Sequence, residues 1–83
     1  MRVTVQVFAR LREIAGRPEW TLDVPAGASV HDVWQAAAAE RPGLSEFRQG
    51  VSCAVNAEFA SWASAVREGD EVAFLPPVSG GAR

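Results

Sequence analysis

Polar and apolar positions alternate with period two at the start of the chain. Arg2-Val3-Thr4-Val5-Gln6-Val7-Phe8 sets Val3, Val5 and Val7 on one face. β-Branched residues at that spacing predict a half-buried strand. The next stretch, Ala9-Arg10-Leu11-Arg12-Glu13-Ile14-Ala15-Gly16, is short for a helix. It reads as a turn or one loose helical turn, stopped by Gly16 and Pro18. Alternation returns in Glu19-Trp20-Thr21-Leu22-Asp23-Val24, which groups Trp20, Leu22 and Val24. The segment between the two runs is long enough for a wide hairpin. Pro25-Ala26-Gly27-Ala28 breaks the second strand. From Ser29 the period becomes helical, and Val30, Val33, Trp34, Ala37 and Ala38 form one stripe. Ser29 and Asp32 are spaced as a capping box, with Asp in place of the usual Glu. Asp32 also places negative charge at the positive end of the helix dipole. Glu40-Arg41-Pro42-Gly43 ends the helix.

Residues 44–50 read as an irregular connection with Leu44 and Phe47 turned inward. Ser52-Cys53-Ala54-Val55-Asn56 is a short strand with Cys53 and Val55 on the core face. Asn56-Ala57-Glu58 turns the chain into Phe59-Ala60-Ser61-Trp62, a further short strand. Arg67-Glu68-Gly69-Asp70 is a second turn, with Gly69 available for positive φ. Glu71-Val72-Ala73-Phe74-Leu75 is the last strand, placing Val72 and Phe74 inside. The order is strand, strand, helix, strand, short strand, strand. The first two strands pair as a hairpin, and the helix crosses over before the chain rejoins the sheet. One helix on one face of a mixed sheet buries a single amphipathic stripe economically. The expected fold class is therefore α+β, a β-grasp (ubiquitin-like) domain over residues 1–77 followed by a C-terminal tail over 78–83.

Composition narrows the function. Eighty-three residues with 22% charged side chains suit one small core and no second domain. The net charge is −2 and the eight Arg are scattered, so no basic stripe for nucleic acid exists. One Cys and one His cannot build a zinc or iron–sulfur site by themselves, so no metal site is expected. Cys53 reads as a small buried hydrophobe and His31 as a solvent-facing or capping residue off the apolar stripe. A single Cys forbids an internal disulfide, which fits a cytoplasmic setting. No apolar run approaches a membrane span. Lys is absent, which excludes Schiff-base and Lys-based phosphate chemistry in this chain.

The C-terminal residues depart from this pattern. Pro76-Pro77 cannot continue a central strand and favours an extended exit. Val78-Ser79-Gly80-Gly81-Ala82-Arg83 contains nothing large enough to anchor to a core. A stiff diproline followed by a diglycine projects a thread without side chains, suited to a narrow cleft. The tail after Pro77 is expected to be mobile in the free protein.

Phe74-Leu75-Pro76-Pro77-Val78-Ser79-Gly80-Gly81, preceded by Glu68-Gly69-Asp70-Glu71-Val72-Ala73, resembles the C-terminus of the MoaD-type sulfur carriers. These are the small subunits of molybdopterin synthase, within the ubiquitin-like ThiS/MoaD family. Phe8-Ala9-Arg10-Leu11-Arg12-Glu13 resembles the family's first-strand signature, and Ala54-Val55-Asn56 its third-strand motif. The resemblance implies that the Gly81 carboxylate is adenylated by an ATP-using enzyme related to ubiquitin activators (MoeB-type). A persulfide donor then supplies sulfur that displaces AMP and leaves a Gly81 thiocarboxylate. Gly80, Ser79 and Val78 carry that group into a large subunit (MoaE-type), where sulfur passes to a pyranopterin precursor. On this reading the chain binds no cofactor itself, and ATP belongs to the activating partner. The reactive group is the main chain, which agrees with the absence of any catalytic cluster of side chains.

Gly81 is followed by Ala82-Arg83, so its carbonyl is an amide. Either a peptidase trims the dipeptide or this member does not carry sulfur. Strand parity adds a partner surface: Phe8 and Leu75 fall on the face opposite Val7 and Phe74, and Phe59 lies beyond a turn. The family's interface positions coincide with Phe8, Phe59 and Leu75, and Pro76 and Pro77 are expected to bind the partner with them. Three alternatives remain. They are a carrier for thiamine, cysteine or tRNA thiolation, a ubiquitin-like modifier joined to a target Lys, and a binding domain with an incidental tail.

Overall fold

The chain begins with β1 (Arg2–Val7), whose Val3, Val5 and Val7 are fully buried as the alternation requires. The computed structural model describes residues 1–77. The expectations placed on Val78, Ser79, Gly80, Gly81 and the Ala82-Arg83 dipeptide therefore lie outside the described residues. Phe8 continues the strand backbone with φ −129° and ψ 157°. Ala9 then takes φ 51°, a left-handed conformation that bends the chain sharply out of the strand.

The residues after Phe8 form α1 (Ala9–Ala15), a seven-residue helix rather than a turn or one loose helical turn. Alone, so short a helix is unstable in water. Burial of Leu11 and Ala15 stabilises it, and Gly16 closes it at φ 85° with its N–H donating to the Arg12 carbonyl. β2 (Glu19–Asp23) pairs antiparallel with β1, so the wide hairpin forms around α1, with Trp20 and Leu22 facing inward.

The main helix, α2 (Val30–Glu40), starts at Ser29 with both arms of the expected capping box. The Asp32 N–H donates to Ser29 Oγ at 3.2 Å, and the Ser29 N–H donates to Asp32 Oδ2 at 2.9 Å. Val30, Val33, Trp34 and Ala37 are buried, with Ala38 half-buried at the margin of the stripe. The following connection is more regular than its sequence suggests, because Pro42–Phe47 winds into a 3₁₀ helix. Ser45 Oγ donates to the Pro42 carbonyl at 3.0 Å, and Leu44 is driven into the core.

β3 (Ser52–Val55), β4 (Glu58–Ala60) and β5 (Glu71–Leu75) complete a five-stranded sheet of order β2-β1-β5-β3-β4. β1 and β5 run parallel, and the other neighbours are antiparallel. This is the expected mixed sheet with one main helix on one face. β4 is shorter than the Phe59–Trp62 pattern predicts. A turn at 61–64, with the Ser61 N–H donating to Ser64 Oγ at 3.1 Å, takes Trp62 out of the sheet. Trp62 instead stacks on Phe74 at 5.7 Å and meets Trp34 edge-on at 5.9 Å, where aromatic area is buried more completely. α2 and these aromatics cover one face of the sheet. Among the described residues, no helix covers the other face, where Phe8 and Phe59 are exposed.

Candidate docking site on the open face of the sheet

Register decides which side chains share that open face. Gln6 lies opposite Ala73, Ala73 opposite Ala54, and Ala54 opposite Phe59, giving one row across β1, β5, β3 and β4. In the next row Leu75 lies opposite Ser52, and Phe8 follows Val7, the partner of Phe74. Ala54 and Ala73 are small and form a floor, while Phe8, Phe59 and Leu75 stand above it. The result is a groove of about 270 Å³ lined by Gln6, Phe8, Ala54, Ala57, Phe59, Glu71, Ala73 and Leu75.

Phe59 is 82% exposed and Phe8 44% exposed, the two large apolar side chains most open to solvent among the described residues. Leu75 and Pro76 are half-buried and Pro77 is exposed. Leu75 both lines the groove and leads directly into the diproline. The groove thus adjoins the point where the chain leaves the sheet toward Gly80-Gly81. Exposed apolar side chains grouped around a concave floor are the usual form of a protein-binding surface. Parity placed Phe8 and Leu75 on this face from the sequence alone. Sequence reasoning missed the floor and rim, namely Gln6, Ala54, Ala57, Glu71 and Ala73. The signal was present for Ala73, which alternates with the inward Val72 and Phe74, but an alanine carries no chemistry that draws notice.

A second groove, about 330 Å³, shares Phe59 and is lined by Asn56, Glu58, Ser64, Arg67 and Asp70 among others. The Asn56 and Asp70 side chains in it are already engaged in structure. Asn56 Nδ2 donates to Asp70 Oδ1 at 3.0 Å, and the Arg67 N–H donates to Asp70 Oδ2 at 2.8 Å. Those two hydrogen bonds hold the Asp70 carboxyl below the ordinary value of 3.8. Asp70 is a turn cap, not an acid or base.

The remaining reactive side chains lie apart from the groove. Cys53 is buried on the core face, its Sγ–H donating to the Ala60 carbonyl at 3.2 Å. Burial pushes its thiol above the ordinary 9.0, away from the thiolate a nucleophile needs. His31 is exposed on α2, edge-on to Trp62 with ring centroids 6.2 Å apart. Among the described residues no three or more His, Cys, Asp or Glu gather to hold a metal ion. Among them, too, no helix is long and apolar enough to cross a membrane. Among the described residues, the groove gathers exposed apolar side chains, and Cys53 and His31 lie outside its lining.

Residues 5–81 match the ThiS family. The chain is 36% identical to the molybdopterin synthase sulfur carrier subunit of Arabidopsis thaliana, covering 98% of this chain and 84% of that protein. It is 36% identical to the protein of the same name from Chlamydomonas reinhardtii, covering 98% and 100%. Among solved structures, the small archaeal modifier protein 1 of Haloferax volcanii superposes with a TM-score of 0.88 at 32% identity, covering 98% of this chain and 100% of that one.

Proposed function

The chain belongs to the ThiS family, and on that premise we propose that it is the sulfur-carrier subunit of a molybdopterin synthase. One observation carries the reading: Leu75 lines an exposed apolar groove and continues directly into Pro76-Pro77 and the diglycine segment. A partner seated on Phe8, Phe59 and Leu75 would receive the residues that follow at its own active site. The relatives named sulfur carrier subunits share this chain's length almost fully, which favours the same work here.

In this reading a peptidase first removes Ala82-Arg83. The freed Gly81 carboxylate is then adenylated by a ubiquitin-activator-like enzyme at the expense of ATP. A carboxylate resists attack because its oxygen is a poor leaving group, whereas AMP departs readily from the acyl-adenylate. The outer sulfur of a persulfide donor attacks the acyl carbon and displaces AMP, giving an acyl disulfide. A second thiol then attacks the donor's sulfur, which releases the Gly81 thiocarboxylate and leaves a disulfide between donor and thiol. Gly80 and Gly81 have no Cβ, so the segment fits a narrow passage in the large subunit and lies close to backbone donors there. The acceptor is the pyranopterin precursor of molybdopterin, and every catalytic side chain belongs to the partners.

The test compares the full chain with one ending at Gly81, using AMP release and intact mass as readouts. The full chain should consume no ATP with the activating enzyme, because Gly81 is an amide. The trimmed chain should form the adenylate and gain the mass difference of sulfur for oxygen. Equal activity from both, without cleavage, would remove the diglycine from its assigned role.

The likeness to a small archaeal modifier favours a second reading, attachment of the freed Gly81 to a Lys of another protein. Lacking Lys, this chain cannot build side-chain-linked polymers of itself. Intact mass of the protein drawn from cells separates the two, since a carrier appears as free thiocarboxylate and a modifier as single additions to larger proteins.

A further inference from the structure

The rings of Pro76 and Pro77 fix φ near −65°, and each residue that precedes a proline is confined to extended backbone. A diproline is therefore a stiff rod, and its aim is set by what its base rests on. Here it rests on Gly50. This glycine lies two residues ahead of Ser52, whose partner across the sheet is Leu75, so the turn at 49–50 meets the exit of β5. A methyl group built on Gly50 would lie 3.2 Å from both Cβ and Cγ of Pro77, and 3.7 Å from its Cδ. The first two distances are shorter than the about 3.5–4.0 Å optimum for carbon contacts, so a Cβ here would push against the ring and one of the two would have to shift.

Two independent demands meet at this position. Gly50 has φ +80°, which disfavours an L side chain whatever the space around it, and Pro77 occupies the space. Gly27 separates them: its φ is +88°, yet nothing lies within 4 Å of where its Cβ would be. Backbone strain alone does not need a neighbour pressed against the glycine.

We propose that Gly50 is a positioning residue, a seat for Pro77 that sets the direction in which the C-terminal segment leaves the sheet. Its functional consequence rests on the sulfur-carrier reading. The groove of Phe8, Phe59 and Leu75 holds the partner, and the seat aims the segment at the partner's active site. Disturbing the seat therefore leaves docking intact and slows delivery.

The experiment uses the full chain with Ser79→Cys bearing a nitroxide, since Cys53 is buried and does not compete for the label. Paramagnetic broadening of the domain's amide signals maps where the segment points. Gly50→Ala should redistribute that broadening, while Gly27→Ala, equally strained, should leave it unchanged. Adding Pro77→Gly to Gly50→Ala should cancel the part due to the added methyl. If Gly50→Ala does not fold, Pro77→Ala in the native background removes Cγ and Cδ and should redistribute the broadening by itself. Gly50→Ala and Gly27→Ala, in chains ending at Gly81, should leave the dissociation constant for the large subunit unchanged. Sulfur transfer should fall roughly ten- to a hundred-fold in Gly50→Ala, as expected for a misplaced reacting group, and stay at the native rate in Gly27→Ala. Broadening that is the same in native, Gly50→Ala and Pro77→Ala chains would overturn the seat, whatever the activity. A shift in broadening, together with a chain ending at Gly81 that accepts no sulfur, would support the seat and reject the carrier reading.

Discussion

Asn56 and Ala57 close the β3–β4 hairpin with φ of 51° and 71°, both left-handed. Two-residue turns of this hand match the twist of the flanking strands, and Asn tolerates the conformation well. Ala57 does not, because its Cβ crowds the backbone there at a cost of about 1–2 kcal/mol. Ala57→Gly should therefore raise stability by about 0.5–1 kcal/mol, after allowing for the greater freedom of glycine in the unfolded chain. Asn56→Gly should have the opposite sign. It keeps the turn but loses two side-chain hydrogen bonds, the Glu71 N–H to Oδ1 and Nδ2 to Asp70, each 3.0 Å long. That clamp ties the hairpin to the start of β5, and its loss should cost about 1 kcal/mol or somewhat more. Urea unfolding of both variants measures the pair, and a destabilised Ala57→Gly would contradict the strain assigned to this turn.

At the scale of elements, the groove exists because four strands bring alternate residues of separate segments to one face. Phe59 stands 82% exposed on the three-residue edge strand β4, so folding gains little from it. Phe59→Ala should leave stability within about 0.5 kcal/mol of the native chain. It should weaken docking to the large subunit by about 1–3 kcal/mol, as truncation of an interface anchor does. Phe8→Ala and Leu75→Ala should weaken docking in the same range. Leu75, being half-buried, should also lower stability modestly. Calorimetric binding together with urea unfolding separates the two effects. Variants at all three positions that bind as tightly as the native chain would show that partners use another face.

Across the whole molecule, two carboxylates at distant chain turns respond to acid in the same sense. The Asp32 carboxyl is held below the ordinary 3.8 chiefly by the Ser29 N–H and then by the Ser29 hydroxyl. The Asp70 carboxyl is lowered chiefly by the Asn56 side chain and then by the Arg67 N–H. A carboxyl lowered by folding contributes stability that is fully present above its unfolded value near 4. That contribution fades as pH falls through the folded values. Asp32→Asn and Asp70→Asn should therefore destabilise most near neutral pH, and the difference from the native chain should shrink on acidification below about pH 4. Urea unfolding across that range measures it. A difference that stays constant with pH would mean that neither carboxylate is linked to folding.

What the sequence determined by itself is what lies within a few residues along the chain. Period two placed Val3, Val5, Val7, Val72 and Phe74 inside and sent Phe8 and Leu75 outward, because successive side chains of a strand must alternate. The Ser29–Asp32 cap was legible for the same reason, since its two hydrogen bonds span only three residues. The diglycine and its diproline lead-in could likewise be read directly, as could their likeness to a sulfur-carrier C-terminus. Tertiary structure decided whatever depends on partners far away in the chain. α1 exists because the core accepts Leu11, β4 stops early because Trp62 finds Phe74, and the 3₁₀ turn forms as Leu44 is buried. The groove's floor was hidden in the same way, since Ala54 and Ala73 meet only through the register of β3 on β5. So was the seat of Pro77 on Gly50, where the sequence shows a glycine and only the fold supplies the ring that requires it. Local geometry is written in neighbouring residues, whereas a surface is made by segments that share nothing until burial of the core draws them together.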